Sequence, residues 1–157
     1  MMGRLRKLKG ISDKKLKSIE KYLIVGGESF LKVLCCNYIL PEWFLYKFKD
    51  FINWSTVCFY QDLSQPFIES NLVSIKDHYD GINFLSRYQN LSLDFMEKNK
   101  DEIEWDEYTK YNIINKEIVS KFYSYLNLAY IRQRNLLEEF ITEEELDNLE
   151  IMHRLTK

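Results

Sequence analysis

Proline and glycine are scarce, with two and five residues in a chain of 157. A sandwich or barrel of short strands needs turn residues roughly every 8–12 positions. Their shortage argues against a turn-rich β fold and for helices joined by tight links. Long hydrophobic runs are missing as well. Stretches such as Tyr22 to Val25 are too short to cross a bilayer, and no apolar signal core follows the charged start MMGRLRKLKGISDKKLK. The expectation is a chain with no membrane span and an intracellular location. Cysteine offers little chemistry: Cys35 and Cys36 are adjacent, Cys58 stands alone, and an odd set without metal or redox spacing reads as reduced apolar filler.

Apolar residues make up 46% of the chain, too many and too evenly spread for disorder, and 15% are aromatic. The net charge of −2 hides an asymmetry. Residues 1–21 hold Arg4, Arg6, Lys7, Lys9, Lys14, Lys15, Lys17 and Lys21 against Asp13 and Glu20, a net +6, so the remainder carries −8. The basic segment has the stripe of an amphipathic helix (Ile11, Leu16, Ile19, Leu23) that Ser12 can cap. Its lysines are either solvated or available to phosphates, with salt-sensitive affinity.

The chain then repeats. INWSTVCFYQDLSQPFIESN (52–71) and GINFLSRYQNLSLDFMEKN (81–99) align on Tyr60-Gln61 and Tyr88-Gln89, 28 residues apart. A further copy lies 23 residues on, through Trp105, Tyr108, Tyr111 and Ile114-Asn115 to Ile118-Val119. Another lies 23 residues back, where Leu40-Pro41-Glu42-Trp43-Phe44-Leu45 precedes Leu63-Ser64-Gln65-Pro66-Phe67-Ile68. A degenerate fifth runs through Leu128, Ile131, Leu137 and Ile141. About five residues are inserted near Lys76 to Asp80, the excess of the 28-residue spacing. Each unit reads as two short helices. Trp54, Val57, Tyr60 and Gln61 share one helical face, and Ser64 and Ser92 cap the second helix, with Pro66 in its first turn. Such helices are too short to stand alone, so each unit must bury its aromatic face against its neighbours.

The pattern in LPEWFLYKFKDFINWSTVCFYQDLSQPFI (40–68) resembles a short tandem repeat of bacteriophage and giant-DNA-virus proteins. The likeness covers residues 31–142 and is clearest over 40–99; Ile82, Asn112 and Asn115 depart from the pattern's Trp, Gln and Ser. It implies a repeat fold and a viral setting, and brings no catalytic residues.

The fold expected is all-α: a small solenoid-like array of short helix pairs, with a basic N-terminal helical segment (1–30), a repeat domain (31–157) and an acidic C-terminal cap. Catalytic and metal sets are not recognisable. His78 and His153 lack the oriented partners a Cys58 nucleophile would need. Gly26-Gly27 lacks the lysine and hydroxyl of a phosphate loop and reads as a helix stop. Asp101, Glu102, Glu104, Asp106 and Glu107 surround Trp105 without calcium-loop spacing. The run Glu138, Glu139, Glu143, Glu144, Glu145, Asp147, Glu150 suits a solvated face or an end cap better than paired acids. Tyr60-Gln61 and Tyr88-Gln89 either satisfy one another and the backbone inside the stack or line a groove for a peptide or single-stranded nucleic acid. The function expected is a non-enzymatic protein-interaction module with a host or viral protein partner, one that inhibits a host factor, without cofactor or metal. The candidate contacts are the Tyr-Gln pairs and Glu138, Glu139, Glu143, Glu144 and Glu145. The alternative is nucleic-acid binding through Arg4, Arg6, Lys7, Lys9, Lys14, Lys15 and Lys17.

Overall fold

The computed structural model describes residues 9–133 and 142–155. Helices dominate them. A two-residue parallel bridge, β1 (Lys9–Gly10) to β2 (Tyr38–Ile39), is the one non-helical pairing among the described residues. It sets Lys9 on a strand, outside the expected N-terminal helix. That helix, α1 (Asp13–Asn37), is capped by Ser12, whose hydroxyl accepts from the Lys15 N–H. Leu16 and Leu23 are buried, with Ile11 and Ile19 packed beside the core. Gly27 breaks the helix at φ 59°, ψ −158°, backbone that a side chain would strain, so α1 is two helices across a kink. The expected stop falls there, and the second half continues through residue 30.

Beyond the kink the helices alternate between two kinds. The second half of α1, with α3 (Trp54–Tyr60), α5 (Gly81–Tyr88), α7 (Trp105–Tyr111) and α9 (Leu128–Gln133), forms one series, each packing on the next. Between them lie α2 (Glu42–Lys47), α4 (Gln65–Lys76), α6 (Leu93–Lys98) and α8 (Lys116–Phe122), and α10 (Glu143–Leu155) ends the described chain. Equivalent positions are buried in equivalent ways. Leu34, Val57, Leu85, Tyr108 and Ile131 lie inside along the first series, and Phe44-Leu45, Phe67-Ile68, Phe95-Met96 and Ile118-Val119 along the second. Trp54 is 2% exposed.

Side-chain caps mark the starts of α4, α6 and α8. Ser64, Ser92 and Asn115 accept from Phe67, Phe95 and Ile118 N–H groups, so the asparagine in the third copy does the serine's work. The insertion lengthens α4 to 12 residues, where α2, α6 and α8 have 6 or 7, and a tight turn then leads into α5. Only glycine fits at the start of α5. A Cβ on Gly81 would stand 1.9 Å from the Ile75 carbonyl oxygen.

Candidate functional site

The amides of the Tyr-Gln pairs are internal. Gln61 and Gln89, each 2% exposed, sit at the C-caps of α3 and α5 and reach back one unit. Gln61 Nε2 donates to the carbonyls of Cys35 (2.7 Å) and Tyr38 (2.9 Å), and its Oε1 accepts from Leu40 N–H (2.8 Å). Gln89 repeats the set on Cys58 (2.6 Å), Gln61 (2.8 Å) and Leu63 (3.0 Å). Asn112, one methylene shorter, retains one cross-unit bond, to the Ser86 carbonyl at 2.7 Å. Helix ends leave carbonyls unpaired, and these side chains satisfy them while tying each unit to the last. As contacts for a partner, Gln61 and Gln89 are therefore withdrawn, because burial and three internal bonds apiece leave them nothing to offer.

Two further sets of bonds cross the units. The first residues of α2 and α4 each hold the cap of the next second-series helix: Glu42 accepts from Ser64 N–H (2.6 Å) and Oγ–H (2.9 Å), and Gln65 accepts from Ser92 N–H (2.8 Å). Leu93 ends this series, having no acceptor. The small position inside the first-series helix makes the other set. Ser86 Oγ accepts from Glu104 N–H (3.0 Å) and Thr109 Oγ1 from Asn127 N–H (3.4 Å). Cys58 fills that place in its own unit, fully buried, and burial pushes its thiol up to about 12. A thiol so shielded and so rarely ionised is no nucleophile.

The tyrosines differ from their amides. Tyr60, Tyr88 and Tyr111, the last residues of three successive helices, are half-buried. Phe59 lies 4.5 Å from both Tyr60 and Tyr88, Tyr88 lies 6.2 Å from Tyr111, and Arg87 covers the Tyr111 ring at 4.3 Å. Glu107 pairs with Arg87 beside them. The result is a half-buried aromatic ridge along α3, α5 and α7.

Of the basic candidates, Lys9, Lys14, Lys15 and Lys17 are exposed, with Lys15 Nζ 5.8 Å from the Tyr38 ring centroid. Arg4, Arg6 and Lys7 lie outside the described residues, as do Glu138 and Glu139. Three acids of the rest of the run are ion-paired. Glu145 pairs with Lys116 at 3.0 Å, and Arg132 holds Asp147 at 2.7 Å and Glu150 at 3.4 Å. The Thr142 N–H and the Lys116 ammonium keep the Glu145 carboxyl below its usual range. Glu144 is exposed on the same helix, α10, and Glu143 begins it. These surface pairs link α10 to α8 and α9.

The sequence reading did not foresee one feature. A groove of about 390 Å³ crosses α1, α3 and α5, lined by Lys32, Phe59, Tyr60 and Phe84 and walled by His78, Tyr79 and Asp80 from the turn after α4. The inserted residues were the available signal. Among the described residues no group of three or more His, Cys, Asp or Glu side chains is placed to hold a metal, and no helix is long and apolar enough to cross a membrane. No protein-family model matches the chain, and neither do any curated protein or solved structure.

Proposed function

We propose that this chain is a solenoid-like array that works as a non-enzymatic protein-interaction module, encoded by a virus or phage and acting on a host or viral protein. The observation that carries the reading is the groove across three successive helices, with an aromatic floor and an exposed aromatic wall. Concave, mostly apolar surfaces with a few polar groups are where ligands and partners bind. The cross-unit bonds support the solenoid part, because each unit completes the one before it. The viral setting, and inhibition of a host factor within it, rest on the resemblance of the repeat alone.

The test is capture of partners by the tagged full chain from a cell lysate, with and without nuclease, beside a full-length version in which the exposed Lys9, Lys14, Lys15 and Lys17 are replaced by glutamine. A specific protein retained after nuclease by both forms supports the module. Nucleic-acid binding is the second reading, favoured by the exposed Lys9, Lys14, Lys15 and Lys17. Binding that vanishes with nuclease and with replacement of these four lysines would establish it instead, with affinity falling steeply as salt rises.

A further inference from the structure

The insertion that breaks the repeat also changes the chemistry of one peptide bond. Asn53 and Glu104 are the N-caps of α3 and α7, each followed by a tryptophan, whereas α5 is entered through Asp80-Gly81. No other Asp or Asn in the chain precedes a glycine. The fold demands this pair. Asp80 takes the left-handed conformation (φ 58°, ψ 10°), which Gly, Asn and Asp adopt most readily. Position 81 admits only glycine, because a Cβ there would collide with the Ile75 carbonyl oxygen.

An aspartate followed by glycine sets an electrophile beside an unhindered nucleophile. The Gly81 backbone nitrogen can attack Asp80 Cγ. The N–Cγ bond forms, and the carboxyl hydroxyl and the amide proton leave as water, closing a succinimide ring. Water then opens the ring at either carbonyl. One opening restores aspartate, and the other routes the main chain through Cβ as isoaspartate. Ring closure needs the Gly81 nitrogen on the same side of the Asp80 Cα–C bond as Cβ. At ψ 10° that nitrogen instead nearly eclipses Asp80's own nitrogen, turned away from the side-chain branch. Two hydrogen bonds also oppose the attack. The Gly81 N–H donates to the His78 carbonyl (2.9 Å), and the Asp80 carboxylate accepts from the Asn83 amide (3.0 Å). Ser55 donates its hydroxyl to the Tyr79 carbonyl and ties the turn to α3.

We propose that Asp80 is the residue at which this chain isomerises to isoaspartate, and that the turn between α4 and α5 gates the reaction, holding Asp80 unreactive while the turn is closed. The product cannot return to the closed turn. Its main chain is one methylene longer at a point with no room even for a Cβ, so His78 and Tyr79 are displaced from the groove wall. Reaction at Asp80 converts a transient opening into a permanent loss of that wall.

The experiment incubates the full-length protein in warm neutral buffer, folded and in guanidinium chloride, and locates isoaspartate by enzymatic methylation and peptide mapping. In denaturant Asp80 should react ahead of every other aspartate. In the folded protein it should react at least about tenfold more slowly, the protection given by a local opening that costs ~1.4 kcal/mol. Ser55→Ala and Asn83→Ala remove the two side-chain contacts that hold the turn, and circular dichroism checks that both variants keep the fold. Each should raise the folded rate towards that in denaturant. Should a variant unfold, the comparison of folded with denatured wild type still decides. Equal rates at Asp80 in the folded and denatured chain, or folded variants no faster than wild type, would overturn the gate. Another aspartate reacting first in denaturant would overturn the assignment of the site.

Discussion

Replacing Gln89 by alanine tests the cross-unit amide bonds most directly. The substitution removes three hydrogen bonds at once, to the Cys58 and Gln61 carbonyls and from the Leu63 N–H. Each is worth a net ~0.5–1.5 kcal/mol, and a buried group left without a partner costs more. The expected loss is therefore about 3–5 kcal/mol, a large share of the stability of a domain this size. With a urea slope of about 2 kcal/mol per molar, the midpoint should fall by roughly 1.5–2.5 M. Gln89→Met keeps the volume and removes the polar atoms, so it should lose nearly as much. Gln89→Asn should retain part of the stability, because Asn112 makes one cross-unit bond from the equivalent position. Hydrogen exchange should show the added opening at the junction of α3 and α5, since neighbouring units couple mainly pairwise. A midpoint shift below roughly 0.5 M for Gln89→Ala, or full recovery with methionine, would refute the assignment of stability to these bonds.

Four other outcomes follow from the same geometry. Trp54→Ala should cost about 3–5 kcal/mol in urea unfolding, as for buried aromatic truncations; a near-neutral result would contradict its 2% exposure. Gln65 Nε2 is buried with no hydrogen-bond partner among the described residues, while Glu42 in the equivalent place uses both oxygens on Ser64. Gln65→Glu should therefore stabilise by about 1 kcal/mol near neutral pH, with the gain disappearing as the carboxylate is protonated in acid; no gain would mean that Ser92 cannot turn its hydroxyl as Ser64 does. Burial pushes Cys35 and Cys58 from 9.0 up to about 12, helped at Cys35 by its neighbour Cys36, and Tyr108 from 10.0 to about 12. The folded protein holds these protons where the unfolded chain has released them, so stability should be intact below about pH 9 and fall as pH rises towards 12. Urea midpoints across that range read it directly, and a flat profile would rule it out. A thiol reagent at mild pH should modify the partly exposed Cys36 first, and Cys35 and Cys58 only on unfolding.

The sequence by itself determined the helical class, the period and most of the core. The repeat, stepping by 28 residues at the insertion and by 23 elsewhere, placed Phe67-Ile68, Phe95-Met96 and Ile118-Val119 in register, and these and Trp54 are buried. The caps at Ser12, Ser64 and Ser92 were legible because they are local: each depends on residues three positions away. The tertiary structure decided what depended on contacts across units. Whether Gln61 and Gln89 faced a groove or the backbone turned on carbonyls more than twenty residues away, at Cys35, Tyr38 and Cys58. The acidic run read as an end cap, yet its partners Lys116 and Arg132 lie on helices that only folding brings near α10. The groove was the least legible feature. Its walls come from three stretches, around residues 32, 55–60 and 78–84, whose meeting depends on how α1, α3 and α5 stack. Periodicity reports which face of a helix is apolar, and it cannot report which neighbour that face meets.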